Sequence, residues 1–218
     1  MLPMLLISYG GMESSLTKPG VNTNYPFILT KIIMDALMEN NPFDKIIITG
    51  GMKVINSLSK TYKVKNVHFK HLPHDQFLKT LAHSFKVLIS PGLTTIYEIF
   101  AYGKPVMFLP SQNYSQYLQL KKLRELELAL FSFDWSDVME TQIREYEIEE
   151  KGVKKVLDCI KKFEIDILAQ QKLKKDILKF FTKPYSNFTH IIKRQKEYYE
   201  SLGPNGGKKI AEILYNIL

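Results

Sequence analysis

The strongest constraint on the fold is a set of short apolar runs, each of which ends at a glycine or proline. The runs are LLISYGG at 5–11, IIITGG at 46–51, VLISPG at 87–92 and VMFLP at 106–110. Strands that are apolar throughout belong in a parallel sheet covered on both faces, because neither face meets water. A fifth run, NVHFK at 66–70, predicts a further strand.

Helical periodicity separates these runs at 25–40, 74–84, 94–103 and 114–127. Strands that alternate with helices predict βα units. We therefore expect residues 1–140 to form one doubly wound, Rossmann-like α/β domain, with a parallel sheet and helices on both faces. In such sheets, ligands bind beyond the carboxyl ends of the strands.

Three smaller features complete the structural prediction. Asn24 is expected to cap the helix at 25–40. Residues 128–135, LALFSFDW, predict a strand or an extended edge. Helical periodicity dominates from about residue 147 onward, so we expect residues 141–218 to form a helical C-terminal segment that packs on the same domain.

Composition limits the protein class. The 218 residues contain one cysteine, Cys159, so no internal disulfide forms, and this fits a reducing cytoplasm. No apolar run approaches the roughly 18 residues of a membrane span. The five histidines lack zinc-site spacing, so no metal site is expected. The net charge of +8 suits a phosphate-bearing ligand or an anionic membrane surface, although a solvated lysine-rich surface explains it equally.

Three strand ends lead into turns of small residues: GGMESS at 10–15, GGMK at 50–53 and SPGLTT at 90–95. Glycine lets backbone N–H groups approach a ligand closely, and a following helix adds free N–H groups and a positive dipole end. These turns therefore predict a phosphate site. For the first two turns, a simple change of chain direction is the alternative.

The third turn carries a further signal, because Glu98 follows Thr94 and Thr95 by four and three residues. All three side chains share one helix face near the helix start. A carboxylate there can accept two hydrogen bonds, which suits the vicinal diol of a ribose. The alternative is that Thr94 caps the helix and Glu98 complements its dipole.

Two further loops follow strand ends. In the loop after 106–110, neutral amides that include Asn113, Gln116 and Gln119 can read sugar hydroxyls, although a polar loop with a capped helix is the alternative. The loop at 70–77 offers His71 and His74, which can face a flat base. We expect His68, in the preceding strand, to be structural.

Residues 71–123 resemble the nucleotide-sugar half of GT-B glycosyltransferases, in particular the MurG-like group that uses UDP-sugars. The similarity consists of Gly-x-x-Thr-x-x-Glu at 92–98, Gly-x-Pro at 103–105 and the amide-rich loop after the next strand. Residues 5–14 resemble the glycine turn that opens this half, and residues 203–214 resemble its closing helix. One departure is the sequence NYSQYLQ at 113–119, where the group has an acidic residue followed by glutamine.

The resemblance implies a role for each position. Glu98 would bind the ribose of a UDP-type donor, residues 92–95 its diphosphate, residues 11–13 the facing side of the phosphates, and the backbone of Leu72 the base. The amide loop would face the donor sugar. The implied substrate-binding residues are Gly11, Met12, Glu13, Leu72, Gly92, Leu93, Thr94, Thr95, Glu98, Asn113, Gln116 and Gln119.

The resemblance also implies a function. The chain would be the donor-binding half of a metal-independent glycosyltransferase, with a UDP-sugar as co-substrate, no cofactor and no nucleic-acid partner. An acceptor-binding half, in a parent chain or a separate subunit, would complete it, so the isolated half would be inactive. No residue is identified as the general base. A UDP-sugar hydrolase or epimerase and a non-catalytic, partner-binding half are the alternatives. A cytoplasmic location follows, with peripheral contact at the inner membrane face as an option.

Overall fold

A computed structural model describes residues 3–11 and 13–203. Five parallel strands form one sheet in the order β3-β2-β1-β4-β5, which is a Rossmann-like arrangement. The predicted doubly wound α/β fold is confirmed. The strands are β1 Met4–Ser8, β2 Lys45–Thr49, β3 Val67–Phe69, β4 Lys86–Ile89 and β5 Val106–Phe108.

Helices follow the strands and then continue beyond the sheet. The helices are α1 Tyr25–Glu39, α2 Met52–Thr61, α3 His74–His83, α4 Leu93–Tyr102, α5 Tyr114–Glu125, α6 Glu149–Ile165, α7 Ile167–Thr182 and α8 Thr189–Ser201. Short 3-10 turns lie at Trp135–Asp137 and Tyr185–Phe188. The chain-closing helix expected within 203–214 falls, apart from Gly203, outside the described residues.

Strands β1, β2, β4 and β5 are almost entirely buried, as their apolar sequences predict, whereas the edge strand β3 is partly exposed. Alternate residues of β1 point to opposite sides, so Leu5 and Ile7 enter one hydrophobic cluster and Leu6 enters the other. The first cluster extends to Phe163 on α6 and Ile177 on α7. The C-terminal helices therefore share the core of the sheet domain. Phe163, Phe180, Phe181 and Phe188 of this segment are buried, whereas Tyr146 and Tyr185 are exposed.

Several local predictions need correction. Helix α2 was not predicted, because only Val54, Ile55 and Leu58 of its ten residues are buried. Asn24 occupies the N-cap of α1 but makes no side-chain cap; its amide instead donates to Glu164 at 2.8 Å. His68 is exposed on the edge strand rather than buried in a structural role.

Residues 128–135 run in an extended conformation beside β5 but do not form a further regular strand of the sheet. The Phe108 N–H donates to the Phe131 carbonyl at 2.9 Å, and the Phe133 N–H donates to the Phe108 carbonyl at 3.0 Å. Trp135 follows and is fully buried. Among the described helices, none has the length and apolar character that a bilayer span requires.

Gly152 on α6 lies against the ring of Tyr114, and a Cβ atom there would come within 2.3 Å of the ring. The ring cannot easily move, because the Tyr114 hydroxyl lies 2.6 Å from the Arg144 carbonyl oxygen and accepts the Glu147 N–H at 3.1 Å. The close approach of α6 to α5 therefore depends on glycine at this position.

We predict that Gly152→Ala lowers the free energy of unfolding by about 1–2 kcal/mol, since overpacking outweighs the roughly 1 kcal/mol gain in helix propensity. Urea denaturation measures the change. In a Tyr114→Ala background, the same substitution should become stabilising. A stabilised Gly152→Ala single variant would show that the ring yields.

Candidate functional site

A cleft of about 350 Å³ opens at the carboxyl ends of the strands. Loops after β1, β2 and β3 and the first turns of α3 and α4 form its walls. The lining residues are Ser8, Gly10, Gly11, Thr49, Gly50, Gly51, His71, Leu72, His74, Phe77, Thr94, Thr95 and Glu98.

The position of the cleft follows from the sheet topology. β1 lies between β2 and β4, and the chain leaves β1 toward β2 on one side but crosses back to β4 on the other. The loops after β1 and β4 therefore diverge, which leaves a crevice at the switch point. Parallel strands thus bring residues 8–11 and 94–98, which are distant in sequence, to one cleft.

The start of α4 is open to a ligand. Its N-cap residue is Gly92, which has no side chain to cap the helix. The first backbone N–H to bond within this turn is that of Ile96, which donates to Gly92 at 2.9 Å. The preceding N–H groups of Leu93, Thr94 and Thr95 have no acceptor among the described residues. The interpretation of Thr94 as a cap is therefore wrong, and this helix end can donate to an anion.

Glu98 lies one turn further along α4, with its side chain on the cleft wall. The side chain is 15% exposed, and Oε1 lies 2.5 Å from Nε2 of His74, at the start of α3. Each carboxylate oxygen can accept two hydrogen bonds, so this contact leaves acceptor capacity for a ligand. The carboxylate is therefore held in place at the cleft and not turned into the core.

The wall of the cleft opposite α4 is low, because the glycine loop after β1 has no side chains at Gly10 and Gly11. Gly10 has a φ of +68°, a conformation that favours glycine. A Cβ atom at Gly10 or at Gly11 would meet no atom within 4 Å. Packing therefore does not require glycine at Gly11, and the missing side chain leaves room above the sheet edge.

Gln112, after β5, holds this glycine loop in place through hydrogen bonds to its backbone. Its side-chain Nε2 donates to the carbonyl of Tyr9 at 3.0 Å and lies 3.5 Å from the Gly11 carbonyl. Its own backbone N–H donates to Oε1 of Gln116 at 3.1 Å. Both glutamines are buried. These amides thus connect two loops and do not face the cleft.

Tyr25 ties the loop after β4 to the loop after β5. Its hydroxyl lies 2.8 Å from Oγ of Ser90 and donates to the carbonyl of Pro110. Burial raises the pKa of Tyr25 well above its ordinary value, so the hydroxyl stays protonated as a donor. The first residue of α1 thereby holds the two loops together by hydrogen bonds.

The structure brings together five of the predicted site residues, Gly11, Leu72, Thr94, Thr95 and Glu98, on one cleft. Gly92 and Leu93 form the helix start beside it. Met12 lies outside the described residues. His71 also lines the cleft, and its Nδ1 lies 3.0 Å from the Gly50 carbonyl.

Four predicted residues lie elsewhere. Glu13 is exposed and pairs with Lys53 at 3.4 Å. Asn113 caps α5, with Oδ1 accepting the Gln116 N–H at 2.9 Å, and Gln116 bonds to Gln112 as described above. Gln119 does not line the cleft either, and its buried Oε1 has no donor in the described part of the chain.

Eight lining residues were not among the predicted substrate-binding residues: Ser8, Gly10, Thr49, Gly50, Gly51, His71, His74 and Phe77. The double glycine after β2 carried a signal for Gly50 and Gly51, but the same dipeptide serves many simple turns. Phe77 follows His74 by one helical turn, and its burial on α3 gave no sign of a cleft-facing edge. Sequence spacing alone does not show that α3 packs against β1 and α4.

Other chemistry receives no support from the described residues. Burial raises the pKa of the Cys159 thiol to about 11, so it is a poor nucleophile at neutral pH. Within 3–11 and 13–203, no three His, Cys, Asp or Glu side chains converge as metal ligands do.

We predict that Gln112→Leu loosens the glycine loop, because two carbonyls lose their donor. Hydrogen exchange of residues 9–11 should accelerate roughly 5- to 30-fold, which corresponds to about 1–2 kcal/mol for the lost hydrogen bonds. Gln119→Leu is the matched control, since its Oε1 has no partner to lose. Equal acceleration in both variants would contradict the role of Gln112.

No family model matches this sequence, and no curated protein matches it. Solved structures do match. The spinosyn rhamnosyltransferase SpnG complexed with spinosyn aglycone is 16% identical with a TM-score of 0.44, and the match covers 81% of this chain and 42% of that chain. CalG4, the calicheamicin glycosyltransferase, is 14% identical with a TM-score of 0.43 and coverages of 92% and 42%.

A phenylacrylic acid decarboxylase from Aquifex aeolicus also matches, at 11% identity and a TM-score of 0.38, with coverages of 76% and 98%. These values limit each likeness to a general similarity of fold. The chain spans about two fifths of the length of the two glycosyltransferases that it matches.

Proposed function

We propose that this chain is the donor-binding half of a glycosyltransferase that uses a UDP-sugar. One observation carries the proposal: an uncapped helix start and a fixed carboxylate one turn further in, Glu98, share a single open cleft. This pairing suits a diphosphate attached to a ribose, because amide donors meet the charge and the carboxylate accepts from the diol.

The diphosphate would lie between the start of α4 and the glycine loop after β1. Amides of Leu93, Thr94 and Thr95 would donate to its oxygens, and the low wall at Gly11 would let the phosphates approach the backbone. The same amides would stabilise the diphosphate as the leaving group, with no metal required. Addition of a chelator should then leave turnover unchanged.

The base would occupy the end of the cleft beside β3. Leu72 offers backbone groups there, His71 is oriented by the Gly50 carbonyl, and Phe77 adds an apolar edge. Backbone donors and acceptors at this position could form hydrogen bonds with the edge of the nucleobase. The nucleotide would thus lie across the switch point from α4 to β3.

Acceptor binding and the general base would come from a second half, in the same parent protein or as a separate subunit. Among the described residues of the cleft, His71 and His74 carry imidazoles that could take a proton, but we assign neither as the general base of sugar transfer. The isolated chain should therefore bind UDP weakly and transfer little or no sugar. We also propose that the protein is located in the cytoplasm.

A second candidate, UDP-sugar hydrolysis or ring chemistry, is favoured by the contact between His74 and Glu98. An imidazole oriented by a carboxylate resembles a base and its positioning partner. In that case, Glu98→Ala would abolish turnover but leave UDP affinity unchanged.

Calorimetric titration with UDP, followed by a product assay with labelled UDP-sugars and the partner half, tests the proposal. Measurable UDP affinity and a glycosylated acceptor would support it. Free sugar in the absence of acceptor would favour the hydrolase, and no UDP affinity with the partner present would favour a non-catalytic half.

A further inference from the structure

Most of the net positive charge comes from one segment of the chain. Residues 45–74 contain six lysines and no aspartate or glutamate, so they contribute +6 of the net +8. The remaining residues carry 24 Lys/Arg against 22 Asp/Glu, which is nearly balanced. The charge is therefore concentrated and not spread evenly along the chain.

The fold gathers these lysines at one edge of the sheet. The segment comprises β2, α2 and β3, and β3 is the outermost strand. Five lysines, which we call the β3 edge surface, are exposed there: Lys45, Lys60, Lys63, Lys65 and Lys70.

Two adjacent grooves run along this edge. One has a volume of about 880 Å³ and the other about 570 Å³, and Lys65 and His68 line both. Lys45 lines the first groove, and Lys63 and Lys70 line the second. Asp44 and Asp75 flank the lysine segment in the sequence, and Asp44 lines the first groove.

These lysines have no carboxylate partners. Within the part of the chain that the structure describes, none of the five forms an ion pair, and Asp44 forms none either. Some lysines on other faces are paired, for example Lys31 with Asp35 at 2.8 Å and Lys174 with Glu39 at 2.7 Å, whereas others, such as Lys161 and Lys162, form no ion pair with a described residue. The edge therefore presents uncompensated charge to an external partner.

The chemistry of the surface identifies the class of partner. All of its cations are lysines, which act as point charges, whereas discrete phosphates in nucleic acids are typically held by the planar fork of arginine. Val64 is exposed among the lysines, beside Tyr62 and Phe69, whose rings stack at 6.2 Å. Diffuse positive charge with a small apolar centre suits a bilayer surface that carries anionic headgroups.

We propose that the β3 edge surface binds the anionic face of a lipid bilayer. This surface is distinct from the C-terminal helical segment, in which Phe180, Phe181 and Phe188 are buried. Lys70 directly precedes His71 and Leu72 of the cleft, so bound protein would hold the cleft mouth beside the membrane. The proposal is independent of nucleotide binding.

Vesicle cosedimentation tests the proposal. The chain should bind vesicles of phosphatidylcholine that contain phosphatidylserine but not pure phosphatidylcholine, and added salt should weaken binding. A triple variant with glutamine in place of Lys60, Lys63 and Lys65 should bind anionic vesicles about 100-fold more weakly, because each lysine contributes about fivefold to the affinity. The matched control neutralises Lys179, Lys193 and Lys196, with the same change in net charge and an expected loss of less than about fivefold.

Three results would overturn the proposal: no binding to anionic vesicles, equal losses in both triple variants, or tighter binding to a random RNA oligonucleotide than to the vesicles at the same salt. If these lysines serve only to prevent the edge strand from pairing with strands of other molecules, the chain should not bind anionic vesicles. UDP titration of the Lys60, Lys63 and Lys65 variant separates the two proposals, because its nucleotide affinity should equal that of the unmodified chain even when vesicle binding is lost.

Discussion

Glu98→Ala is expected to weaken UDP binding by about 1–3 kcal/mol, or roughly 5- to 150-fold, because the ribose hydroxyls lose their acceptor. The carboxylate lies at the cleft wall, held by His74, so its removal acts directly on the ligand. Calorimetric titration of UDP into the unmodified and variant chains measures the change. Glu149→Ala, an exposed carboxylate on α6, is the control and should leave UDP affinity unchanged.

A modified ligand makes this test specific for the ribose. UDP that lacks both ribose hydroxyls should bind the unmodified chain as weakly as UDP binds Glu98→Ala. The variant itself should not distinguish the two ligands. If the variant still prefers UDP over the dideoxy compound, another residue holds the ribose, and the assignment of Glu98 is wrong.

Lys86→Met is expected to lower the free energy of unfolding by about 3 kcal/mol. Lys86 begins β4 and is buried, and its Nζ donates to the carbonyls of Phe180, Phe181 and Lys183 at 2.7, 2.8 and 2.7 Å. Burial lowers the pKa of Lys86 to about 8, so the ammonium form with three donors prevails at pH 7.

The physical reason for the loss is that methionine keeps the volume but leaves three carbonyls at the end of α7 without a donor. Replacing both partners of a buried polar contact can be neutral, whereas removing one is costly. Thermal unfolding should show a midpoint about 6–12 °C lower, since 1 kcal/mol corresponds to about 2–4 °C at this chain length.

Lys104→Met is the matched control for this prediction. Its Nζ donates to one carbonyl, that of Ala82 near the end of α3, from a half-buried position. Solvent can replace that donor, so we expect a loss below about 1 kcal/mol. Equal losses in the two variants would contradict a special role for Lys86 in holding α7 to the sheet.

The sheet could be predicted from sequence because four of its five strands are buried apolar runs that lead into a glycine or proline turn. The same feature identified the edge at which a ligand would bind. Helix α2 escaped prediction because its outer face is polar and only Val54, Ile55 and Leu58 repeat at helical spacing. Its polar and apolar faces are well separated, but the helix has only ten residues and follows directly on a double glycine that indicates a turn.

The cleft could be predicted in part for a similar reason. Thr94, Thr95 and Glu98 lie on one short helix, so their spacing determines that they share a face. The amides after β5 could not be assigned in this way. Gln112 and Gln116 are directed at backbone groups, and Gln112 meets Tyr9, which is 103 residues distant in sequence. Only the packed loops show that these amides are buried.

The most direct measurement of the central claim is a crystal structure of the chain with bound UDP. The account predicts a ribose hydroxyl within about 3.2 Å of a Glu98 carboxylate oxygen, and a phosphate oxygen within about 3.2 Å of an amide of residues 93–95. A nucleotide bound in another cleft, or one whose ribose lies away from Glu98 while its phosphates avoid the start of α4, would contradict it.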